Sequence, residues 1–307
     1  MKHKYYKGYY MVTNRCNLDC SYCVLEDSHD QLKRELPFAE KIKLIDHLYH
    51  KLNFRRLTLS GGEITLIGKN PPNDFLLLLQ YLRKFKSSDQ NKNLEIEVYT
   101  NAAFLDSNVA DAMSGVVDQV AITIDSTDEN LLKSIGRSRG RYSNYYNKAL
   151  AACELLAARG IEIKLHSVVS QLNISSLVET LPKIILDLKG YNILPSKWKF
   201  YQYMSYDEQL RDKAHAISSS EFTLFKNSAI KCLADSKIEL HFKDNKEMND
   251  SLFNILSYGT AQFMHKGDTW STSRRTKDLR TYSDIESLLS ENNIEKTIFE
   301  SFHSIKR

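Results

Sequence analysis

Short runs rich in β-branched and aromatic residues alternate with longer runs whose apolar residues recur at helical spacing, from the N-terminus to about residue 206. The short runs predict six strands: Tyr9–Thr13, Arg56–Ser60, Leu94–Thr100, Gln119–Asp125, Glu162–Val169 and Lys197–Met204. The longer runs predict the helices between them: Phe38–Leu52, Asp74–Lys84, Asn144–Arg159 and Leu177–Asp187. This alternation is typical of parallel βα units. It predicts an α/β fold with a partial (βα)6 barrel, and functional side chains are expected at the carboxyl ends of its strands.

The pattern changes after the sixth predicted strand. From about Asp207 it predicts a helix over Ser219–Ala234, then short strands and two late helices. We therefore divide the chain into a barrel domain, residues 1–206, and a C-terminal α+β extension, residues 207–307, that packs on the barrel.

Composition and charge narrow the class of protein. Of the 307 residues 42% are apolar, which is enough for a sizeable core, and the net charge of +4 comes without the basic stripe that marks nucleic-acid binders. No run of about 18 apolar residues predicts a membrane span, and the N-terminus lacks the apolar segment of a secretory signal. We therefore expect a monomeric cytoplasmic protein that binds neither nucleic acid nor a membrane.

Three of the five cysteines, Cys16, Cys20 and Cys23, lie within eight residues, shortly after the first predicted strand. An odd number of cysteines is not typical of a disulfide framework, and a tight triplet predicts metal binding. Three thiolates at this spacing suit a [4Fe–4S] cluster with one iron left open. The alternative is a structural zinc site with four closed ligands, of which His29 would be the fourth.

The cysteine spacing, with the aromatic Tyr22 before the last cysteine, resembles that of the radical S-adenosylmethionine superfamily. This resemblance implies that the three cysteines hold the cluster, and that its open iron binds and cleaves S-adenosylmethionine with electrons from a flavodoxin- or ferredoxin-type donor. The implied cosubstrate site comprises Tyr22, Ser60, Gly61, Gly62, Glu63, Asn101, Thr123, Ser126 and Arg137. Within it, Glu63 is expected to accept from the methionyl amino group and Arg137 to bind the carboxylate. Ile64 stands where the family usually has proline.

Four further segments resemble viperin and the prokaryotic viperin-like enzymes, and this resemblance covers most of the chain. They are Ile122–Gly140, Ile163–Asn173, Lys197–Phe200 and Asn245–Ser251. The resemblance implies conversion of a ribonucleoside triphosphate (CTP, UTP or GTP) to its 3′-deoxy-3′,4′-didehydro analogue, in antiviral or anti-phage defence. A 5′-deoxyadenosyl radical would remove the 4′ hydrogen of the ribose, and the 3′-hydroxyl would leave as water.

A triphosphate pocket is implied by the same resemblance, and cations on the second, fifth and sixth predicted strands suit a polyanion. The expected substrate-binding residues are Tyr9, Arg56, Lys164, His166, Lys197, Lys199 and Asn245, with the extension covering the pocket. Tyr9 and His166 replace family asparagines, and Leu252 replaces a tyrosine proposed to act late in the reaction. The preferred base and the final reducing step therefore stay open.

Two other functions stay open. One is a different radical enzyme, either an activase with a protein partner or an enzyme that modifies another small molecule. Peptide-modifying relatives usually carry extra cysteines for auxiliary clusters, whereas only the isolated Cys153 and Cys232 remain in this chain. The other is a protein that keeps the cluster for structure or sensing, without catalysis.

Overall fold

One mixed sheet runs through the computed structural model, which describes residues 4–23, 35–138, 140–206, 209–265 and 267–305. Its strands are β1 Tyr5–Thr13, β2 Phe54–Gly61, β3 Glu95–Thr100, β4 Gln119–Thr123, β5 Glu162–Val169, β6 Lys197–Gln202, β7 Glu239–Lys243, β8 Phe253–Ile255, β9 Ala261–Phe263, β10 Arg274–Arg275 and β11 Ser304–Ile305. The spatial order is β10-β9-β8-β1-β2-β3-β4-β5-β6-β7, and β11 pairs with β1. Neighbours from β1 to β7 are parallel, and the sheet does not close, which confirms the partial barrel.

Helices connect and cover these strands. They are α1 Phe38–His50, α2 Asn73–Leu82, α3 Ser107–Met113, α4 Glu129–Ser134, α5 Tyr145–Ala157, α6 Ile174–Gly190, α7 Gln209–His215, α8 Ser219–Cys232, α9 Asn245–Asp250, α10 Ile285–Glu291 and α11 Lys296–His303. None of these described helices combines the length and the apolar character that a membrane crossing requires.

Helix α1 shows how the apolar pattern sets the fold locally. Pro37 has an extended backbone and precedes the first turn, where its missing N–H costs nothing. Leu44, Ile45 and Leu48 then recur on one face and are fully buried. Each such side chain contributes about 1.5–3 kcal/mol to folding by leaving water, so the helix is held by its apolar face.

Alternation along β5 separates the hydrophobic core from the interior of the barrel. Ile163 and Leu165 are buried in the core cluster beneath the helices. Lys164 and His166 therefore point to the opposite face, because successive side chains of a strand alternate. That opposite face carries the site described below.

The structure differs from the prediction in two respects. The short helices α3, α4, α7 and α9 were not predicted, because six or seven residues hold too few periodic positions to be recognised. The C-terminal extension also continues the barrel sheet: β7 is parallel to β6 at one side, and β8 is parallel to β1 at the other. The domain boundary at residue 206 stays a prediction. Strands on the two sides of this boundary are hydrogen-bonded to each other, namely β6 with β7 and β1 with β8.

Candidate functional site

The three clustered cysteines lie in the loop that follows β1. The N–H of Cys23 donates to the carbonyl of Cys20 over 2.8 Å and closes a turn. Cys20 is buried, Cys23 is partly exposed and Cys16 is exposed. Within the described ranges, no three His, Cys, Asp or Glu side chains converge closely enough to hold one metal ion. His29, the fourth ligand of the zinc alternative, lies outside the described residues.

Two glycines hold this loop by close backbone contact. A Cβ on Gly62 would lie 2.2 Å from the carbonyl oxygen of Arg15 and 2.8 Å from the Cβ of Cys16. A Cβ on Gly136 would lie 2.2 Å from the carbonyl oxygen of Asp19, and its φ of +76° favours glycine. The loop is therefore packed between the end of β2 and the turn after α4, and no side chain fits at either contact.

Arg137 is buried behind the cysteine loop within a polar network. Its Nε donates to the Tyr22 hydroxyl over 2.9 Å and lies 2.7 Å from Asp125 Oδ2, with which the guanidinium forms an ion pair. Its Nη1 donates to the Tyr145 hydroxyl over 3.2 Å. Burial raises the pKa of the Cys20 thiol to about 12, and the positive charge of Arg137 opposes that rise. In the structure the guanidinium of Arg137 pairs with Asp125. The expected contact between Arg137 and the carboxylate of S-adenosylmethionine therefore stays a prediction.

Glu63 is fully buried, and both of its carboxylate oxygens accept hydrogen bonds within the protein. Oε1 accepts from the Thr65 N–H and hydroxyl and from the Thr100 hydroxyl over 2.7–3.1 Å, and Oε2 accepts from the Asn101 N–H over 2.7 Å. Burial raises the pKa of Glu63, while these hydrogen bonds oppose the rise. In the structure Glu63 thus joins the end of β2 to the end of β3. Its expected bond to the methionyl amino group stays a prediction.

The remaining residues of the predicted cosubstrate site lie at or just beyond the carboxyl ends of β2, β3 and β4: Ser60, Gly61, Asn101, Thr123 and Ser126. Asn101 reaches the cysteine loop, because its Nδ2 donates to Asn17 Oδ1 over 3.0 Å and lies 3.8 Å from Cys16 Sγ. The strand ends therefore surround the cysteines, as expected for a parallel barrel.

A cavity of about 1370 Å³ opens inside the barrel beside this loop, and Tyr22, Cys23 and Gly61 line it at that end. Six of the seven predicted substrate residues line the same cavity: Tyr9, Arg56, Lys164, His166, Lys197 and Lys199. Asn245 does not line it. The backbone N–H of Asn245 donates to the Gln202 side chain over 3.1 Å, and its Oδ1 is buried without a partner.

Strand register orders these residues by depth. On β5, His166 lies beside Thr123, the last residue of β4, and beside Lys199 of β6. His166 and Lys199 are therefore closer to the cysteine end. Arg56 and Lys197 lie near the amino ends of β2 and β6, at the end of the cavity away from the cysteines, and both are partly exposed. Arg56 and Lys197 therefore lie farther from the cysteine loop than His166 and Lys199 do, because the position along a strand fixes the depth of its side chain.

Three of the predicted cations already have carboxylate partners inside the protein. The pairs are Arg56 with Glu95, Lys164 with Glu97, and Lys197 with Glu239, the last over 3.1 Å. Among the described residues no ion pair joins Lys199 to a carboxylate, so its charge is the least compensated of the four.

Two lysines that the sequence analysis missed, Lys7 and Lys243, also line the cavity. Lys7 lies two residues before Tyr9 on β1, so side-chain alternation places both on one face of the strand. This spacing could have identified Lys7 as a cavity residue from the sequence. Lys243 ends β7, opposite Tyr201 of β6. Because β7 was not recognised as a barrel strand, nothing in the sequence pattern placed Lys243 here.

The lysines of the cavity lower one another's pKa. Burial and the neighbouring Lys164 lower the pKa of Lys199 to about 7, although Glu97 opposes this, and Lys243 lowers it further. Burial also lowers the pKa of Lys7, with Arg56 and Lys243 contributing in the same direction. Like charges at close range favour an anion between them. This part of the cavity is therefore suited to a polyanionic ligand.

Comparison with known proteins gives a family and a fold. The sequence model of the Radical SAM superfamily matches residues 10–182. GTP 3',8-cyclase of Corynebacterium glutamicum is 32% identical over 161 residues, which are 52% of this chain and 40% of the cyclase. S-adenosylmethionine-dependent nucleotide dehydratase RSAD2 of Oncorhynchus mykiss is 24% identical over 261 residues, which are 81% of this chain and 66% of that protein. The chain thus matches less than half the length of the cyclase.

The solved structure of Streptococcus suis SuiB bound to S-adenosylmethionine superposes with a TM-score of 0.65 at 11% identity. The superposition covers 96% of this chain and 67% of SuiB. At this identity the likeness establishes the fold alone.

Proposed function

We propose that this chain, which belongs to the radical SAM superfamily, removes the 3′-hydroxyl of a ribonucleoside triphosphate as water and forms the 3′-deoxy-3′,4′-didehydro nucleotide. The observation that carries this proposal is the set of lysines, with Lys164 buried and Lys199 partly buried, that lines a cavity beginning at the cysteine loop. The names of two matched relatives, a GTP cyclase and a nucleotide dehydratase, support a nucleotide as the class of substrate.

Radical SAM enzymes use a [4Fe–4S] cluster and S-adenosylmethionine, and the residues of this chain fit both. A [4Fe–4S] cluster takes one thiolate per iron, and three cysteines in one short loop after β1 provide these thiolates. Cys16, Cys20 and Cys23 would hold the cluster, and Tyr22 and Gly61 line the adjacent cavity. When bound, the two groups supply the one-electron chemistry that begins at the ribose.

The protein's own contribution is to hold the nucleotide in one orientation. Lys199 and Lys7 would bind the phosphates, since among the described residues no ion pair joins either of them to a carboxylate, and Lys243, which pairs with Glu247 over 3.6 Å, would add its charge beside them. The ribose would then face the cysteine end. Holding the reacting carbon of the ribose in one position relative to the cofactor contributes much of the rate enhancement in such reactions.

The proposed net reaction converts the nucleotide and one S-adenosylmethionine into the didehydro nucleotide, water, methionine and 5′-deoxyadenosine, and it consumes two electrons and one proton. An external one-electron donor of the flavodoxin or ferredoxin type would supply the electrons. The C-terminal extension helps to enclose the substrate, since Lys243, Glu247 and Ser251 line the cavity. Leu252 lines it as well and brings no group that transfers a proton or an electron.

Nucleotide affinity is expected to fall as the pH rises above about 7. The pKa of Lys199 is lowered to about 7 by burial and by Lys164, and a bound triphosphate would raise it again. Binding therefore takes up a proton above pH 7, and the dissociation constant should rise by up to about tenfold per pH unit. Calorimetric titration of nucleoside triphosphate into the reconstituted protein between about pH 6 and 9 measures this slope.

Lys199→Gln should weaken binding and remove most of that pH dependence. Lys92→Gln is the matched control, because Lys92 is an exposed lysine paired with Asp89 over 3.5 Å. A slope in Lys199→Gln as steep as in the wild type would show that Lys199 does not bind the phosphates.

The proposed reaction is tested by incubating the reconstituted protein with reductant, S-adenosylmethionine and each ribonucleoside triphosphate in turn. We expect 5′-deoxyadenosine to form only with the true substrate, together with a nucleotide lighter by one water. Mass spectrometry of the nucleotide pool measures both products.

Other products would contradict the proposal in distinct ways. A nucleotide product of unchanged mass would indicate ring closure instead of dehydration. Formation of 5′-deoxyadenosine that does not depend on any nucleotide would favour an activase or another small-molecule enzyme. Absence of 5′-deoxyadenosine from cluster-loaded protein under all these conditions would favour a non-catalytic cluster protein.

A further inference from the structure

We propose that His166 hydrogen-bonds the ribose hydroxyls of the nucleotide and makes the site selective for ribonucleotides over their deoxy analogues. This inference rests on the proposed function, because it assumes that a nucleoside triphosphate occupies the cavity. It assigns a specific task to a residue whose sequence context left its role open.

The position of His166 supports contact with the ribose. The strand register places it between Thr123, at the carboxyl end of β4, and Lys199 on β6. The cysteine loop lies beyond the carboxyl ends. By register Lys199 lies level with His166, Lys7 lies near the amino ends, and Lys243 lies two residues nearer the carboxyl ends. A nucleotide with its phosphates on Lys199 and Lys7 and its ribose towards the cysteines would therefore have its sugar beside this imidazole.

The imidazole is fixed in place but lacks a hydrogen-bond partner. Its ring packs edge-on between Tyr99 and Tyr201, with centroid distances of 4.5 and 5.2 Å. His166 is 7% exposed, and its Nε2 is buried with no hydrogen-bond partner in the described structure. A buried polar atom left in this state costs about 1–3 kcal/mol, so a ligand that satisfies it is favoured.

The chemistry of the ring favours a hydroxyl over a phosphate. Burial lowers the pKa of His166 well below its usual range, and the charges of Lys164 and Lys199 lower it further. A neutral imidazole offers one donor and one acceptor, which matches a hydroxyl group. A phosphate offers only acceptors and is served better by the neighbouring lysines.

Binding of matched nucleotides to a single variant tests this assignment without any catalytic step. We compare the affinity of the reconstituted protein for a ribonucleoside triphosphate with its affinity for the 2′-deoxy and 3′-deoxy forms. The wild type should bind at least one deoxy form about tenfold more weakly, as expected for the loss of one buried hydrogen bond. In His166→Phe, which keeps the packing against both tyrosines, the three affinities should be equal within about twofold.

His215→Phe is the matched control. His215 is also buried, has an unpartnered Nδ1 and stacks on Tyr203 at 5.2 Å, but it does not line the cavity. This variant should keep the discrimination of the wild type. Thermal unfolding of both variants reports whether either fails to fold, and His166→Gln provides a second, polar substitution in that case.

The possible outcomes separate this inference from the proposed function. Two results would overturn the role of His166 alone. One is equal affinity of the wild type for the ribonucleotide and both deoxy forms, and the other is a preference for the ribonucleotide that persists in His166→Phe. An equal loss of affinity for all three nucleotides in His166→Phe would indicate a phosphate contact and would also overturn it. If no nucleoside triphosphate binds the wild type, both the proposed function and this inference fail.

Discussion

Cys20→Ala is expected to lose the iron–sulfur cluster and with it all formation of 5′-deoxyadenosine. Cys20 is the buried member of the triplet, and its thiol lies near the guanidinium of Arg137. Since one iron of the proposed cluster is left open for the cosubstrate, only three thiolates hold it, and removal of one leaves too few. Iron content and visible absorbance after anaerobic reconstitution measure the loss, and product analysis measures the activity.

Cys153→Ala is the matched control for removing a buried sulfur. Cys153 lies in α5 and is fully buried in the hydrophobic core, where burial raises its pKa to about 12. Its replacement should lower stability by about 1 kcal/mol but leave the iron content unchanged. Full iron content in Cys20→Ala, or loss of iron in Cys153→Ala, would contradict the assignment of the cluster ligands.

Gly62→Ala is expected to lower the iron content of the reconstituted protein by about tenfold or more. A Cβ at this position would lie 2.2 Å from the carbonyl oxygen of Arg15 and 2.8 Å from the Cβ of Cys16. The first of these atoms belongs to the backbone, so the cysteine loop must move as a whole. Overpacking typically costs about 1–3 kcal/mol, and in this loop the displacement would act directly on the geometry of the thiolates.

Gly190→Ala is the control for the same substitution in open space. Gly190 is the last residue of α6, and a Cβ there would meet no heavy atom within 4 Å. This variant should retain its iron and its melting temperature. If Gly62→Ala bound iron as well as Gly190→Ala does, the close contact between β2 and the loop would not determine the position of the cysteines.

The frame of the barrel followed from local patterns. Strand β5 has the limits that alternation predicted, and α1 begins at Phe38, directly after Pro37, as expected. Such elements are recognisable because apolar side chains at period 2 or 3.6 must share a buried face. β7 was not recognised because its residues, Glu239–Lys243, are mainly polar and only partly buried.

The cofactor class followed from the spacing of three cysteines, since close thiolates in a short loop restrict the chemistry whatever the rest of the fold does. The roles of single polar residues did not follow in the same way. Glu63 appeared to be a free acceptor in its motif, but its oxygens accept from Thr65, Thr100 and Asn101 in the structure. Hydrogen bonds between strand ends depend on which strands become neighbours, and a motif within one strand end does not contain that information.

The sequence by itself determined the parallel barrel, the cysteine loop and the face of β5 and β6 that carries Lys164, His166 and Lys199. These features depend on spacing along the chain, which side-chain alternation and a short loop convert directly into geometry. Only the tertiary structure decided which cations lack a carboxylate partner, that Lys7 and Lys243 line the same cavity, and that His166 is left with an unpartnered nitrogen. Those properties arise when distant strands are brought side by side, because burial and charge neutralisation depend on every neighbour across the barrel and not on the order of residues along one strand.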